Sequence, residues 1–286
     1  MTLPFRYVRP SSLAEALELL AASGPGARPM AGGTDLLVAI RRGAAAPETV
    51  VDLTGIPELA TLEVEEDVIR VGACVTHARL ASSPLVRERI PLLAHAARTV
   101  GSAQIRNLGT VGGNVANASV AADTLPALAA LDAEVVVAGP QGRRRIPLAD
   151  FVRGPGDTAL GAGELLAALL IPMPAPHGAA FEKVGRRRAV SIARLSVAVA
   201  AAPGRGWARI SIGGVFPTPR RLPEAESALA NGFGPEACRE AGGAAQKAVA
   251  AVSGERPSMA YKLPVVGRLV AHTARVAVAR AGGGGG

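Results

Sequence analysis

The stretch Gly109-Thr110-Val111-Gly112-Gly113-Asn114 sets two adjacent glycines between a hydroxyl and an amide side chain. A second stretch of the same kind, Ala31-Gly32-Gly33-Thr34-Asp35, lies about eighty residues earlier. Glycine leaves the backbone N–H uncovered, so a loop of this composition lets the main chain approach a phosphate closely. Two such loops read as one pyrophosphate held from two sides. A Gly-Gly pair alone marks an ordinary turn equally well. Neither stretch matches a standard nucleotide fingerprint. There is no G-x-x-x-x-G-K-[ST] run, and no G-x-G-x-x-G between a strand and a helix. A P-loop and a Rossmann site are therefore not expected.

Residues 28–31 read as a strand entering the first loop, and 36–42 as a helix leaving it. The start of that helix favours an anion, because its first N–H groups lack intrahelical partners. Upstream, 5–8 is a short strand, and Ser12 with Glu15 has capping-box spacing. Leu13, Ala16, Leu17, Leu20 and Ala21 then recur at helical intervals up to Gly24. Residues 50–53 and 68–76 are expected as strands, and 85–89 and 92–100 as helices parted at Pro91 and stopped by Gly101. After the second loop come a helix over 125–130 and a strand over 134–138. Pro172, Pro174 and Pro176 place a boundary within 171–178. Beyond it, 181–184, 196–201 and 208–215 read as strands, and 224–230, 235–252 and 265–280 as helices. On the last helix Arg268, His272 and Arg275 form a solvated face opposite Val266, Leu269, Val270 and Val276. Residues 282–286 are a glycine tail, expected to be flexible. No internal repeat is evident.

The 286 residues suit two domains, or one domain with a smaller appendage, with a core of Ala, Val and Leu because aromatics make up only 3%. The net charge of +8 and the runs Arg143, Arg144, Arg145 and Arg186, Arg187, Arg188 raise nucleic-acid binding as a rival. One Trp and two Tyr offer little base stacking, and no recognition-helix or zinc-finger spacing is present. A basic surface serves equally to meet an acidic partner subunit or an anionic cofactor. No uncharged apolar run reaches membrane-spanning length, and residues 1–10 lack a signal-peptide pattern, so a cytoplasmic protein without a membrane span is expected. Cys74 and Cys238 stand far apart, which reads as two buried free thiols and argues against an iron–sulfur cluster on this chain. His77, His95, His177 and His272 show no metal-ligand spacing, so no metal site is expected. His77, at a strand end, fits a structural role or a place near a cofactor. No G-x-S-x-G elbow points to a hydrolase.

With its flanks the second stretch becomes specific. The run Gln104-Ile105-Arg106-Asn107-Leu108-Gly109-Thr110-Val111-Gly112-Gly113-Asn114-Val115-Ala116-Asn117-Ala118-Ser119, continuing to Asp123-Thr124-Leu125-Pro126, resembles the FAD-binding subunit of molybdenum-containing hydroxylases. That family includes the medium subunit of carbon monoxide dehydrogenase and the FAD-binding subunit of xanthine dehydrogenase. In the same order follow resemblances at Ala31–Asp35 in the first loop, Gly72-Ala73-Cys74-Val75-Thr76-His77, Ser83-Pro84-Leu85-Val86, Phe181-Glu182-Lys183-Val184 and Gly213-Gly214-Val215-Phe216-Pro217-Thr218-Pro219. The resemblance covers essentially the whole chain. Three departures stand out. Val120 replaces a common Pro, Ser191 replaces a common acidic residue before Ile192-Ala193, and the cysteine-bearing iron–sulfur loop of relatives that reduce hydroxybenzoyl-CoA is missing.

The resemblance implies an α+β protein. A two-subdomain FAD-binding fold of the vanillyl-alcohol oxidase type would span residues 1–172, with subdomains of about 1–55 and 56–172. A C-terminal domain with a small antiparallel sheet and helices would span 178–281. It implies FAD contacts at Arg28, Pro29, Met30, Ala31, Gly32, Gly33, Thr34 and Asp35, and a second clamp of Thr110, Gly112, Gly113 and Asn114. Asn117, Asp123, Leu166 through its backbone, Lys183, and Val100 with Gly101 complete the implied set. No residue of the chain is expected to make or break bonds in an organic substrate. The implied function is electron transfer within an oxidoreductase complex. Electrons from a large molybdopterin subunit would cross 2Fe-2S clusters on a small subunit, reach the flavin and leave to an external acceptor. The implied assembly is a dimer of heterotrimers. A stand-alone flavin oxidoreductase of the same fold, or a basic scaffold without cofactor, are the alternatives. The substrate and the acceptor (NAD, quinone, cytochrome or oxygen) are not readable from this chain.

Overall fold

The computed structural model describes residues 5–174, 177–187, 191–253 and 259–282. Pro176, Arg188 and residues 283–286 of the tail lie outside the described residues. In chain order the elements are β1 (Arg6–Val8), α1 (Leu13–Ser23), β2 (Ala27–Met30), α2 (Leu36–Arg41), β3 (Thr49–Asp52), β4 (Leu62–Glu65), β5 (Val68–Gly72), α3 (His77–Ser82), α4 (Pro84–Arg89), α5 (Pro91–Arg98), α6 (Ala103–Leu108), α7 (Val111–Asn117) and α8 (Thr124–Ala130). Then come β6 (Glu134–Gly139), β7 (Gly142–Pro147), α9 (Leu148–Phe151), β8 (Val152–Gly154), β9 (Asp157–Thr158), β10 (Leu165–Pro172), β11 (Gly178–Val184), β12 (Leu195–Ala202), β13 (Trp207–Gly213), β14 (Arg220–Arg221), α10 (Pro223–Ala230), α11 (Pro235–Ser253) and α12 (Met259–Gly282). The chain folds as two compact units. One comprises residues 1–79, 102–118 and 133–172; the other comprises 80–101, 119–132 and 173–286.

The first unit contains a three-stranded parallel sheet, β1-β3-β2, with β3 buried throughout. Helix α1 supplies Leu13, Ala16 and Leu20 to the buried cluster that also holds Val51. Ser12 caps α1 by accepting the Glu15 N–H at 3.2 Å. The Glu15 carboxylate takes the Ser11 N–H at 2.8 Å instead of closing a full capping box on Ser12. Gly24 ends the helix at φ 56°, where a side chain would be strained. Asp52 ties the end of β3 by accepting from the Thr54 N–H at 2.9 Å, the Thr54 hydroxyl at 2.7 Å and the Tyr7 hydroxyl.

The same unit contains a five-stranded antiparallel sheet, β4-β5-β10-β6-β7. Its central strand β10 was not expected from the sequence. Seven of its eight residues are buried, so it lacks polar alternation, and Pro172 at its end looked like a breaker. Strand β7 also escaped, because Arg143, Arg144 and Arg145 occupy an exposed edge. Arginines on an edge discourage pairing with other chains. Arg143 pairs with Glu58 at 2.5 Å, and Arg144 holds Glu164 with two bonds of 3.1 and 2.6 Å. The strand expected over 68–76 stops at Gly72. A Cβ there would lie 2.3 Å from the Leu59 carbonyl oxygen, so the chain presses on a neighbouring backbone and leaves the ladder.

The second unit is built on a four-stranded antiparallel sheet, β11-β12-β13-β14, in which β12 is buried along its whole length. Val197, Val199, Ile210 and Ile212 share one core with Leu229 of α10, Ala241 and Ala245 of α11, and Val266, Val270 and Ala274 of α12. Helix α12 begins before the expected start at 265 and runs through Pro264. Arg268, His272 and Arg275 are exposed on it, as their spacing predicts. An ion network fastens the sheet to α10. Glu226 accepts the Ile210 N–H at 2.9 Å and pairs with Arg221 at 2.7 Å, while Arg221 also pairs with Asp132 at 2.7 Å. Glu226 is only 8% exposed. Among the described residues no helix is long and apolar enough to cross a membrane.

Glu226→Ala strands a buried N–H and part of the Arg221 charge. The expected loss is about 2–4 kcal/mol of unfolding free energy by urea denaturation. A loss below about 0.5 kcal/mol would show the network to be solvent-compensated.

Candidate functional site

Strand β2 delivers the chain into Ala31-Gly32-Gly33-Thr34-Asp35, which turns at Gly33 with φ 68°. Gly32 lies against the other glycine segment: a Cβ on it would sit 2.0 Å from the Leu108 carbonyl oxygen and 2.9 Å from Gly109 Cα. The two glycine stretches, about eighty residues apart in sequence, thus meet backbone to backbone in the first unit. Among the described residues, no hydrogen-bond acceptor faces the amide N–H groups of Gly32, Gly33 or Thr34. All three residues are half-buried. A partly buried row of unpaired donors is costly unless a ligand accepts from it. Its chemistry fits an anion.

The second stretch is not the loop its glycines imply. It is two short helices, α6 and α7, joined at Gly109. The Thr110 hydroxyl caps α7, accepting the Gly113 N–H at 3.1 Å. The Val111 N–H bonds Val75 O at 2.9 Å, the Gly112 N–H bonds Ala73 O at 3.0 Å, and the Asn114 N–H bonds Thr110 O at 3.0 Å. The expectation that Gly112 offers its amide to a phosphate is therefore corrected. Its donor is engaged, and its missing Cβ admits Ala73, whose Cβ would otherwise lie 2.5 Å away. Gly113 differs. It is exposed, and a Cβ there would meet only the Thr110 hydroxyl, at 3.0 Å. Gly113 is the face of this segment that a ligand can approach, with Asn117 exposed a turn later.

The other expected residues of this unit are dispersed around these segments. Arg28 and Pro29 are exposed on β2, and Met30 brings its sulfur to 3.1 Å from the Cβ position of Gly33. Leu166 lies buried on β10 at a register shift between Leu166 and Ala168. Ala167, beside it, accepts the Ala73 N–H at 2.9 Å.

His77 is a feature that the sequence left open. It is 2% exposed, its amide N–H bonds Gly109 O at 3.0 Å, and its Nδ1 is buried without a partner among the described residues. Burial, with a smaller contribution from Arg106, depresses its pKa to about 4, so the imidazole is neutral near pH 7. Cys74 is half-buried, and burial raises its thiol to about 12, which makes it unreactive.

The second unit gathers its own group. Lys183 Nζ donates to Asp123 Oδ2 at 2.6 Å and to Thr99 O at 3.0 Å, so the strand β11 lysine is tied to the Thr99-Val100-Gly101 turn. Gly101 has φ 43°. Asp123 is 7% exposed, and its Oδ1 is buried without a partner among the described residues. Burial lifts the Asp123 carboxyl to about 6 although the Lys183 hydrogen bond pulls the other way. A buried carboxylate oxygen with no donor fits a hydroxyl or N–H of a ligand. Among the described residues no cluster of His, Cys, Asp and Glu could hold a metal ion.

The buried imidazole gives a pH test. Its folded pKa lies below the unfolded 6.5, so its stabilising contribution is present above pH 6.5 and is lost as pH falls toward about 4. The unchanged chain should therefore lose about 2–3 kcal/mol more than His77→Leu between about pH 7.5 and about pH 4 in urea denaturation. Equal pH dependence in the two proteins would mean that His77 is solvated. Taking the difference removes the opposite contribution of Asp123, whose raised pKa favours the fold at low pH.

Residues 3–174 match the family model described as the FAD binding domain in molybdopterin dehydrogenase. The chain is 35% identical to the nicotine 6-hydroxylase medium subunit of Paenarthrobacter nicotinovorans over 98% of this chain and 100% of that one. It is 34% identical to the carbon monoxide dehydrogenase medium chain of Hydrogenophaga pseudoflava, covering 96% and 98% of the two chains. Its fold superposes on a chain of carbon monoxide dehydrogenase from Oligotropha carboxidovorans with a TM-score of 0.90 at 32% identity, covering 98% of this chain and 99% of that one. A chain of quinoline 2-oxidoreductase from Pseudomonas putida 86 gives the same TM-score of 0.90 and the same coverage, 98% and 99%, at 30% identity. A mixed helix and sheet architecture shared along nearly its whole length, with the glycine segments in contact, places this chain in the family of FAD-binding domains of molybdopterin dehydrogenases.

Proposed function

We propose that this chain is the FAD-carrying electron-transfer subunit of a molybdenum hydroxylase complex. The observation that carries the reading is the half-buried row of amides at Gly32, Gly33 and Thr34, without an acceptor among the described residues and packed against Leu108 and Gly109. This is a place for a diphosphate, in a chain whose family is defined by FAD. Thr34 and Thr110 add hydroxyls, Arg28 adds positive charge, and Met30, Pro29, Ala31 and Asp35 line the same turn. Asn114, Asn117 and the Leu166 backbone are further contacts of the first unit. Gly112 supports them by packing.

In the second unit we assign Asp123, Lys183, Val100 and Gly101 to the flavin. Lys183 keeps a third N–H beyond those given to Asp123 and Thr99. A fixed ammonium offsets negative charge on the ligand, and the buried Asp123 Oδ1 accepts from it. The flavin supplies two-electron chemistry when bound, while the chain supplies position, electrostatics and exclusion of water. The substrate is oxidised on another subunit. The partners are a small iron–sulfur subunit and a large molybdopterin subunit, as a dimer of heterotrimers in the cytoplasm. The names of the relatives support this, since they are medium chains and FAD subunits of such dehydrogenases. The FAD-binding part is of the vanillyl-alcohol oxidase type over 1–172, with subdomains of about 1–55 and 56–172, and is followed by a C-terminal domain over 178–281.

Acid precipitation should release one FAD per chain into the supernatant. Flavin retained in the pellet, or FMN recovered instead, would contradict the assignment. Gly113→Val should abolish FAD occupancy while leaving the fold, because its Cβ meets only a hydroxyl. A variant with full flavin absorbance would show that α7 is only a packing element. Candidate organic substrates should bleach the flavin anaerobically in the complete complex and not in the isolated chain. Rapid bleaching of the isolated chain would instead indicate a stand-alone oxidoreductase.

A further inference from the structure

We propose that His77 is a wall of the anion cradle in the first unit, donating a hydrogen bond from Nε2 to the diphosphate of the bound dinucleotide beside the Gly32–Thr34 amides. The inference rests on the FAD reading and adds to it a binding residue that the glycine motifs do not contain. His77 is 2% exposed, yet no described residue bonds to either of its ring nitrogens, and Nδ1 is wholly enclosed. A core position filled for packing alone would favour Leu or Met, because an unpaired buried polar atom costs stability. Nδ1 stays enclosed, whereas Nε2 is not among the enclosed unpaired atoms and bonds no described residue, so it is the ring nitrogen left open to a ligand.

The geometry fixes where that partner sits. The His77 amide is held by Gly109 O at 3.0 Å. Its Cδ2 lies 3.3 Å from the Cβ position of Gly109, and that same position is 3.6 Å from Thr34 Oγ1. In imidazole Cδ2 is bonded to Nε2, so the edge turned toward Gly109 and Thr34 is the one that carries Nε2. This edge faces the contact between the two glycine segments. Arg106 of α6 is the charged group that acts on the ring, and with burial it keeps the imidazole neutral. A neutral imidazole with its proton on Nε2 is a donor, and a diphosphate oxygen is the acceptor for which a charge-assisted bond is strongest. Gly109 at the joint allows the close approach, since any side chain there would meet the ring and the Ile105 carbonyl, 2.9 Å away.

The test uses the full chain stripped of flavin and titrated with FAD, with flavin fluorescence giving Kd and thermal unfolding giving the gain in Tm on FAD addition. His77→Gln places an amide nitrogen near Nε2, His77→Asn places one near Nδ1, and His77→Leu removes both. His77→Leu and His77→Asn should weaken FAD binding about tenfold or more, and His77→Gln should stay within about threefold of the unchanged chain. Without FAD, His77→Leu should melt no lower than the unchanged chain, and its FAD-dependent gain in Tm should shrink. A purely structural histidine would give the reverse: a lower Tm without FAD and an unaltered gain. If His77→Leu does not fold, the Gln and Asn pair decides, and equal affinity in those two overturns the inference. If the unchanged chain binds no FAD, the cofactor reading itself fails. If it binds FAD and all three variants bind equally well, only the role of His77 fails.

Discussion

The structure of the candidate site depends on a backbone-to-backbone contact that only glycine allows. Gly32 lies so close to the Leu108 carbonyl that a methyl group in place of its hydrogen would sit 2.0 Å from the oxygen. Carbonyl oxygens and Cβ atoms do not approach that closely, so the position admits no other residue without moving one segment away from the other. Through this contact two stretches remote in sequence become one surface. The amides of Gly32, Gly33 and Thr34 meet no acceptor among the described residues.

Glycines behind that surface do different work. Gly72 rests on the Leu59 carbonyl and ends the β5 ladder, which frees Ala73 to Thr76 to cross toward α7. There Val75 and Ala73 accept the first N–H groups of α7, and Gly112 lets Ala73 close up against it. The helix start is thereby satisfied inside the protein, and the amides without an acceptor among the described residues belong to the other segment. Neighbouring glycines of one motif thus divide into a packing residue, Gly112, and an open one, Gly113. In the second unit the same economy of volume appears where α11 crosses α12, with Gly242 seated on the Gly267 carbonyl. Ala and Gly at such crossings bring backbones close, which is how a chain with 3% aromatics packs a core.

Burial governs the titratable groups in both units and acts on them with opposite sign. It pushes His77 down to about 4 and Asp123 up to about 6, in each case favouring the neutral form. Each keeps a buried polar atom without a partner among the described residues, His77 Nδ1 and Asp123 Oδ1. In the second unit Lys183 is held by Asp123 and the Thr99 carbonyl.

Much of the local structure was legible in the sequence. The capped helix α1, the periodic helices α10 and α11, and the strands β1, β2, β3, β6, β11, β12 and β13 fall close to where spacing and turn residues placed them, because those signals act over a few residues. The ordered motifs likewise identified the family. Tertiary structure decided what depends on contacts between distant segments. Strand β10 carries no alternation because both its faces are buried, and β7 carries arginines because it lies at an edge, so neither has a local signature. The second stretch looked like a loop and became helix because Val75 O, Ala73 O and the Thr110 hydroxyl take the N–H groups of Val111, Gly112 and Gly113. His77 was one histidine among four in the sequence. Only the fold encloses its ring, leaves Nδ1 without a partner among the described residues and turns the Cδ2 edge toward Gly109. Residue type and spacing determine which elements can form, whereas burial and the pairing of polar groups are set by the whole chain at once.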